Sequence, residues 1–312
     1  MNLSGKPDSF ETKCFLLGTT SSEFQNLPSD EIPENYNAVI VINIIFIIPA
    51  IIFNAVPIIT IWKSSQLRSK PCYFIVLILS VIDLAVGVLG IPLFVAVLIV
   101  SVLNGGSNCF LSSLAFKIAS SLFGLSRFTF IAMTAERYIA ILHPYKYTTL
   151  VTKKRLLIFV CSTSAIHIIF TAFSATFDDI LVIIYSALER LLTIGSITFA
   201  YTRICLVVRK LARSVNRPQD LASVENRTRR KAFLQEIKRA KSCFKVVMCS
   251  FTIVLFPSIA FRLYYQSKLK DVTIFIWIVT LGYSVSIVDS VIFFWTKTML
   301  RKEAVKKLKT MR

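Results

Sequence analysis

Charged side chains interrupt long apolar stretches of this sequence at a few positions. Asp83 is the lone charge between Pro71 and Phe116, and Asp289 the lone one in 272–296. Glu189 and Arg190 break the run 180–202, and Arg127, Glu136 and Arg137 break 118–142. A charge at membrane depth costs about 3 kcal/mol or more, so such residues are expected to pair or to bind something. Ser286 and Asp289 are three apart and share a helix face. With Asp83 and Ser126 they form an oxygen-rich set suited to a hard cation such as Na⁺. Two other readings stay open: the acids share a proton, or the set is a plain polar network. Arg127 lies ten residues before Arg137, roughly 15 Å along a helix, and Glu189 twelve before Tyr201, roughly 18 Å. If Arg137 and Tyr201 mark similar depths, Arg127 and Glu189 pair, either structurally or as part of a ligand pocket. Glu136 neutralises the adjacent Arg137 at a membrane boundary, and breaking that pair frees the Arg to reach a cytoplasmic partner, a two-state switch. Catalytic patterns are absent: the two His are His143 and His167, and no HExxH, paired CxxC, GxSxG or phosphate-binding Gly loop occurs. An enzyme is not expected, and neither is a metal centre or a cofactor other than Na⁺.

Apolar helices must position these groups. The chain has 312 residues, 55% hydrophobic and 17% charged, against about a quarter charged in soluble proteins. A soluble fold could not hide so much apolar surface. A span needs about 20 apolar residues, and seven such runs are found, at about 37–62, 72–100, 109–142, 154–176, 180–210, 240–264 and 272–296. They are continuous rather than alternating, which excludes a barrel. The expected fold is an all-α integral membrane bundle of seven transmembrane helices with a short amphipathic C-terminal helix. Residues 1–36 form a tail, 37–297 the bundle, and 298–312 the terminal helix and tail. Lys and Arg crowd 63–70, 136–155, 203–245 and 297–312, and acids crowd 1–36. The positive-inside rule then puts those basic segments in the cytoplasm and the N-terminus outside. The net charge of +19 is thus a topology signal and an attraction to the lipid bilayer's anionic inner leaflet, not a nucleic-acid footprint. Residues 1–36 lack an apolar signal-peptide core, so the first span is expected to direct its own insertion. Asn2-Leu3-Ser4 is an outward glycosylation sequon. Of seven cysteines only Cys14 and Cys109 fall outside, either as a disulfide or as two free thiols.

The span-three ending Ala135-Glu136-Arg137-Tyr138, followed by His143-Pro144-Tyr145, resembles the rhodopsin-like (class A) G-protein-coupled receptors. Similar matches are Asn54, Asp83, Ser126, Tyr201, Phe251, Pro257 and the run Asp289-Ser290-Val291-Ile292-Phe293, and Pro92 falls where span two often kinks. The resemblance covers residues 40–309. It implies a plasma-membrane receptor passing an extracellular ligand's signal to a heterotrimeric G protein. Glu136, Arg137, Tyr138, Tyr145, Tyr201 and Phe293 would form the switch and partner surface. Lys117, Ser120, Phe123, Arg262, Tyr265, Trp277 and Tyr283 would line the ligand pocket. Ala119 in place of an Asp disfavours a biogenic amine, and Tyr283 in place of a Lys disfavours retinal. Departures are Leu255 for the span-six Trp, Ser164 for the span-four Trp, Thr193 and Ser290 for Pro, and Phe293 for Tyr. With a very short second outer loop, this combination looks most like the melanocortin, lysophospholipid, cannabinoid and adenosine receptor cluster. Alternatives are a transporter or ion pathway using the intramembrane acids, and a non-signalling decoy receptor.

Overall fold

The computed structural model describes residues 13–14, 19–20, 32–104, 109–173, 179–215 and 272–310. The chain is a helical membrane bundle. In chain order the elements are strands β1 (Lys13–Cys14) and β2 (Thr19–Thr20), then helices α1 (Ile32–Lys63), α2 (Ser65–Arg68) and α3 (Pro71–Ala85). A π-helical turn, Val86–Gly90, joins α3 to α4 (Ile91–Asn104). There follow α5 (Cys109–Leu142), a 3-10 turn Pro144–Lys146, α6 (Tyr147–Leu150), α7 (Lys153–Phe173), α8 (Asp179–Val215), α9 (Val272–Thr296) and α10 (Thr298–Thr310).

Among the described residues, five helical stretches are long and apolar enough to cross a bilayer: Asn35–Lys63, Pro71–Leu103, Phe110–Leu142, Lys153–Phe173 and Ile184–Val207. A shorter apolar stretch, Ile276–Val291, lies within α9. The expected span 240–264 lies outside the described residues. The outward faces are apolar: Val41, Ile44, Ile45, Ile48 and Ile52 of α1 are all exposed, a surface that lipid but not water would tolerate. One small departure from an all-helical chain occurs in the tail. There β1 and β2 pair antiparallel, Lys13 opposite Thr20 and Cys14 opposite Thr19, and β1 lies against α5.

Two apolar clusters hold the helices together. One gathers Ile61, Leu67, Tyr73, Leu79, Phe130, Met133, Val160 and Leu300. The other gathers Tyr36, Ala50, Val86, Phe94, Leu98, Ala119, Ile276 and Tyr283. Along α1, α3 and α5 a polar residue falls between the two: Asn54, Asp83 and Ser126. On α9, Ser286, Asp289 and Ser290 follow the last member of the second cluster. The bundle thus carries a buried polar layer between two greasy ones.

Three helix details bear on the site. The second span is irregular just before Pro92, where the turn Val86–Gly90 is widened to π geometry, as at many functional sites. There Gly87 faces Ala50 so closely that a Cβ would stand 3.0 Å from the Ala50 Cβ. Thr193, in place of a Pro, leaves α8 continuous, with its hydroxyl donating back to the Glu189 carbonyl at 2.8 Å. Ser290, also in place of a Pro, leaves α9 continuous, and its hydroxyl donates to Asn54 Oδ1 across to α1.

Candidate functional site

The polar layer is built from opposite ends of the sequence. Asn54, Asp83 and Asp289 are fully buried, and Ser286 nearly so. Ser126 Oγ donates to Asp83 Oδ1 at 3.5 Å, and the Ser286 hydroxyl donates to the same carboxylate. Asn54 Nδ2 is held by the Ala50 carbonyl at 2.8 Å, which fixes its oxygen toward Ser290. Among the described residues, Asp83 Oδ2 and both oxygens of Asp289 find no hydrogen-bond partner. Buried carboxylate oxygens without donors are expensive, so this layer is shaped for something that supplies positive charge. Two carboxylates and two hydroxyls are the donor set a hard cation takes, and a shared proton would meet the same need.

A second cluster joins α5, α7 and α8. Arg127 donates from Nε at 3.1 Å and from Nη2 at 2.9 Å to Glu189 Oε1. The Arg side chain is 18% exposed and the Glu 6%. Sequence reasoning had no role for His167, yet its ring lies beside this pair, with Nδ1 3.5 Å from the same oxygen. No short motif marks it, because its place depends on how α7 is rotated.

At the end of α5, Arg137 Nε lies 3.0 Å from Glu136 Oε2, with Glu136 1% exposed and Arg137 31%. The other Glu136 oxygen accepts a 2.7 Å hydrogen bond from the Tyr147 hydroxyl. Burial first, and then Glu136, raise the pKa of that phenol, so it stays a protonated donor. Tyr147 is the residue that sequence reading missed here, since a loop must fold back to bring it in. Tyr201 is half-buried on α8, within electrostatic reach of Arg137. Tyr138 stacks on Phe199, ring centroids 6.2 Å apart, while Tyr145 is 98% exposed.

The residues proposed for a ligand pocket are not equally available. Tyr283 is a core residue: it is 1% exposed, its hydroxyl donates to the Gly90 carbonyl at 3.1 Å, and its ring packs on Phe94 and Phe123. Lys117 turns to the Ala172 carbonyl on α7 at 3.0 Å, where an end of that helix needs a donor. Ser120 offers its backbone carbonyl to His167. Phe123 and Trp277 are half-buried at the second apolar cluster. Arg262 and Tyr265 lie outside the described residues, as do Asn2, Phe251, Leu255 and Pro257. Phe293 falls in α9, and Cys14 and Cys109 fall in β1 and at the start of α5.

Residues 53–184 match the family described as 7 transmembrane receptor (rhodopsin family). The matched stretch runs from α1 into α8 and carries Asn54, Asp83, Ser126, Arg127 and the Glu136-Arg137-Tyr138 triplet. No curated protein matches the chain.

Proposed function

We propose that this chain is a cell-surface receptor of the rhodopsin type, one that carries an extracellular signal to heterotrimeric G proteins. The observation that carries the reading is the restraint on Arg137. Glu136 holds it at 3.0 Å and is itself held by Tyr147, all within or beside the stretch that resembles the family. Loosening that carboxylate releases a guanidinium at the membrane boundary, where a partner's acidic or carbonyl groups can take it. Tyr145, 98% exposed in the turn that follows α5, and the basic end of α8 would flank the partner.

The polar layer supplies the second part. Its donor set supports Na⁺ between Asp83, Asp289, Ser126 and Ser286, bound when the bundle is closed around it and lost when α9 moves. When bound, the ion would neutralise carboxylate charge that has no cationic partner among the described residues. Lys and Arg distribution supports a plasma-membrane protein with its N-terminus outside. The ligand is expected on the outer side; Ala119 and Tyr283 argue against an amine and against retinal.

The two buried acids also favour one second reading, an ion pathway through the bundle. Guanine-nucleotide exchange on a panel of purified G proteins separates them, using membranes with this chain or its Arg137→Ala variant. Ligand-free exchange that the variant loses is the expected outcome. Cation flux in liposomes without exchange on any G protein would overturn the receptor reading.

A further inference from the structure

His167 is nearly buried, at 3% exposure, and α5 makes room for it with a glycine. A Cβ on Gly124 would stand 2.1 Å from Nε2 and 2.2 Å from Cδ2 of the ring, so any other residue at 124 would exclude the imidazole. Nε2 lies 3.1 Å from the Ser120 carbonyl oxygen, which can only accept, so the neutral ring carries its hydrogen on Nε2. The Thr171 hydroxyl stands 3.5 Å from the same nitrogen. Nδ1 is then the ring's acceptor. The Tyr185 hydroxyl donates to it at 3.3 Å, and Glu189 Oε1 stands 3.5 Å away. That oxygen already receives two donors from Arg127. Among the described residues, the charged and titratable groups facing the ring are therefore Arg127 from α5 and Tyr185 and Glu189 from α8; α7 adds Thr171, and Phe128 of α5 lies edge-on.

Both ring nitrogens thus look at oxygens, which is the surrounding an imidazolium needs. We propose that His167 is a proton-binding site inside the bundle, and that the bound proton makes Glu189 change partners. A proton from the aqueous phase adds to Nδ1 and forms the N–H bond. The cluster passes from neutral (Arg127 with Glu189) to one net positive charge. Nδ1–H then donates to Glu189 Oε1 and competes with Arg127 for that oxygen, while the two cations repel across a low-dielectric gap. The Arg127 contact that ties α5 to α8 weakens, and the α7 contact to α8 strengthens. Acidification is then a signal read at the middle of the bundle, through one residue on each of three helices. This holds whatever partner the cytoplasmic face engages.

The test uses the full chain in lipid nanodiscs, labelled with ¹⁵N at His and Arg. Only two His occur, so His167→Gln assigns the ring. At about pH 8 Nδ1 is expected to read as unprotonated and Nε2 as protonated. Toward about pH 5 Nδ1 gains its proton, and the Arg127 Nε resonance moves along the same curve. Glu189→Gln should push proton uptake to lower pH by about 1 unit or more, because the counter-charge is gone. Arg127→Gln should push it the other way, a second variant that removes the cation and keeps the carboxylate. A ring whose Nδ1 never titrates in this range, an Arg127 signal that ignores the titration, or variants that do not move it in these opposite directions would overturn the proposal.

Discussion

The packing of His167 over Gly124 can be tested by adding one methyl group. In Gly124→Ala the new Cβ would sit 2.1 Å from Nε2, about 1.4 Å short of an ordinary van der Waals separation. Two more ring atoms lie within 2.8 Å, and an aromatic ring held on both sides cannot bend away as a flexible chain end can. The ring must leave its place. Overpacking costs about 1–3 kcal/mol, and losing the Ser120 carbonyl bond adds about 1 kcal/mol. Against this, Ala is about 1 kcal/mol better than Gly inside a helix. The net expectation is a loss of about 1–3 kcal/mol, read as about 2–5 °C in thermal unfolding of the purified protein. The decisive measurement is the same substitution in a His167→Ala background. With the ring gone, its three close contacts vanish and the helix term is left to dominate, so the sign is expected to reverse and Gly124→Ala to stabilise by up to about 1 kcal/mol. Equal destabilisation in both backgrounds would refute the reasoning, because the cost would then lie in the helix and not in the contact.

Further expectations concern the other sites. Tyr147→Phe removes the 2.7 Å hydroxyl bond to Glu136, a bond to an ionised group worth about 1.5–3 kcal/mol; ligand-free nucleotide exchange should rise about tenfold, and exchange unchanged at matched surface expression would count against the restraint. Arg127→Glu and Glu189→Arg should each lower surface expression, as breaking a buried pair costs about 3–5 kcal/mol, and the double reversal should recover it; a double variant as poor as either single would argue against direct pairing. Asp289→Asn removes one of two buried carboxylates, so it should raise the unfolding temperature in sodium-free buffer and abolish the further rise that Na⁺ gives the parent; an identical sodium response in both would sink the cation site. Because β1, which carries Cys14, lies against α5, which begins at Cys109, non-reducing digestion should yield one peptide joined at these residues, and recovery of two separate thiol peptides would mean that no bridge forms.

What could be read in advance, and what could not, follows from the geometry of rods. Helix positions follow from apolar runs, so the last span, 272–296, coincides with α9. Depth along a rod follows from counting, which is how Arg127 and Glu189 come to be considered together from residues 62 apart in sequence. Rotation about the rod does not follow from counting when apolar residues cover every side. That is why His167 gave no warning, and why Tyr283, counted as a pocket residue, is core. Tyr147 escaped for another reason: its bond to Glu136 depends on the 3-10 turn Pro144–Lys146 reversing the chain, which hydropathy does not encode. The β1–β2 pairing is likewise a tertiary event in a polar tail.

The widened turn Val86–Gly90 sets the phase of everything beyond it. Ile91, Phe94, Val95 and Leu98 are all buried, spaced as one helical stripe, and Phe94 meets Tyr283 at a centroid distance of 5.5 Å. Removing one residue from the turn would restore an even winding and swing that stripe about 100° around the axis, carrying Phe94 off Tyr283. The turn therefore works as a spacer that decouples two halves of one rod: the inner half is clocked by Asp83, the outer half by its aromatic contacts. An insertion or deletion at this point is a rotation rather than a change in length. Variation within Val86–Gly90 would re-aim the outer wall of the bundle while leaving the buried acids where they are.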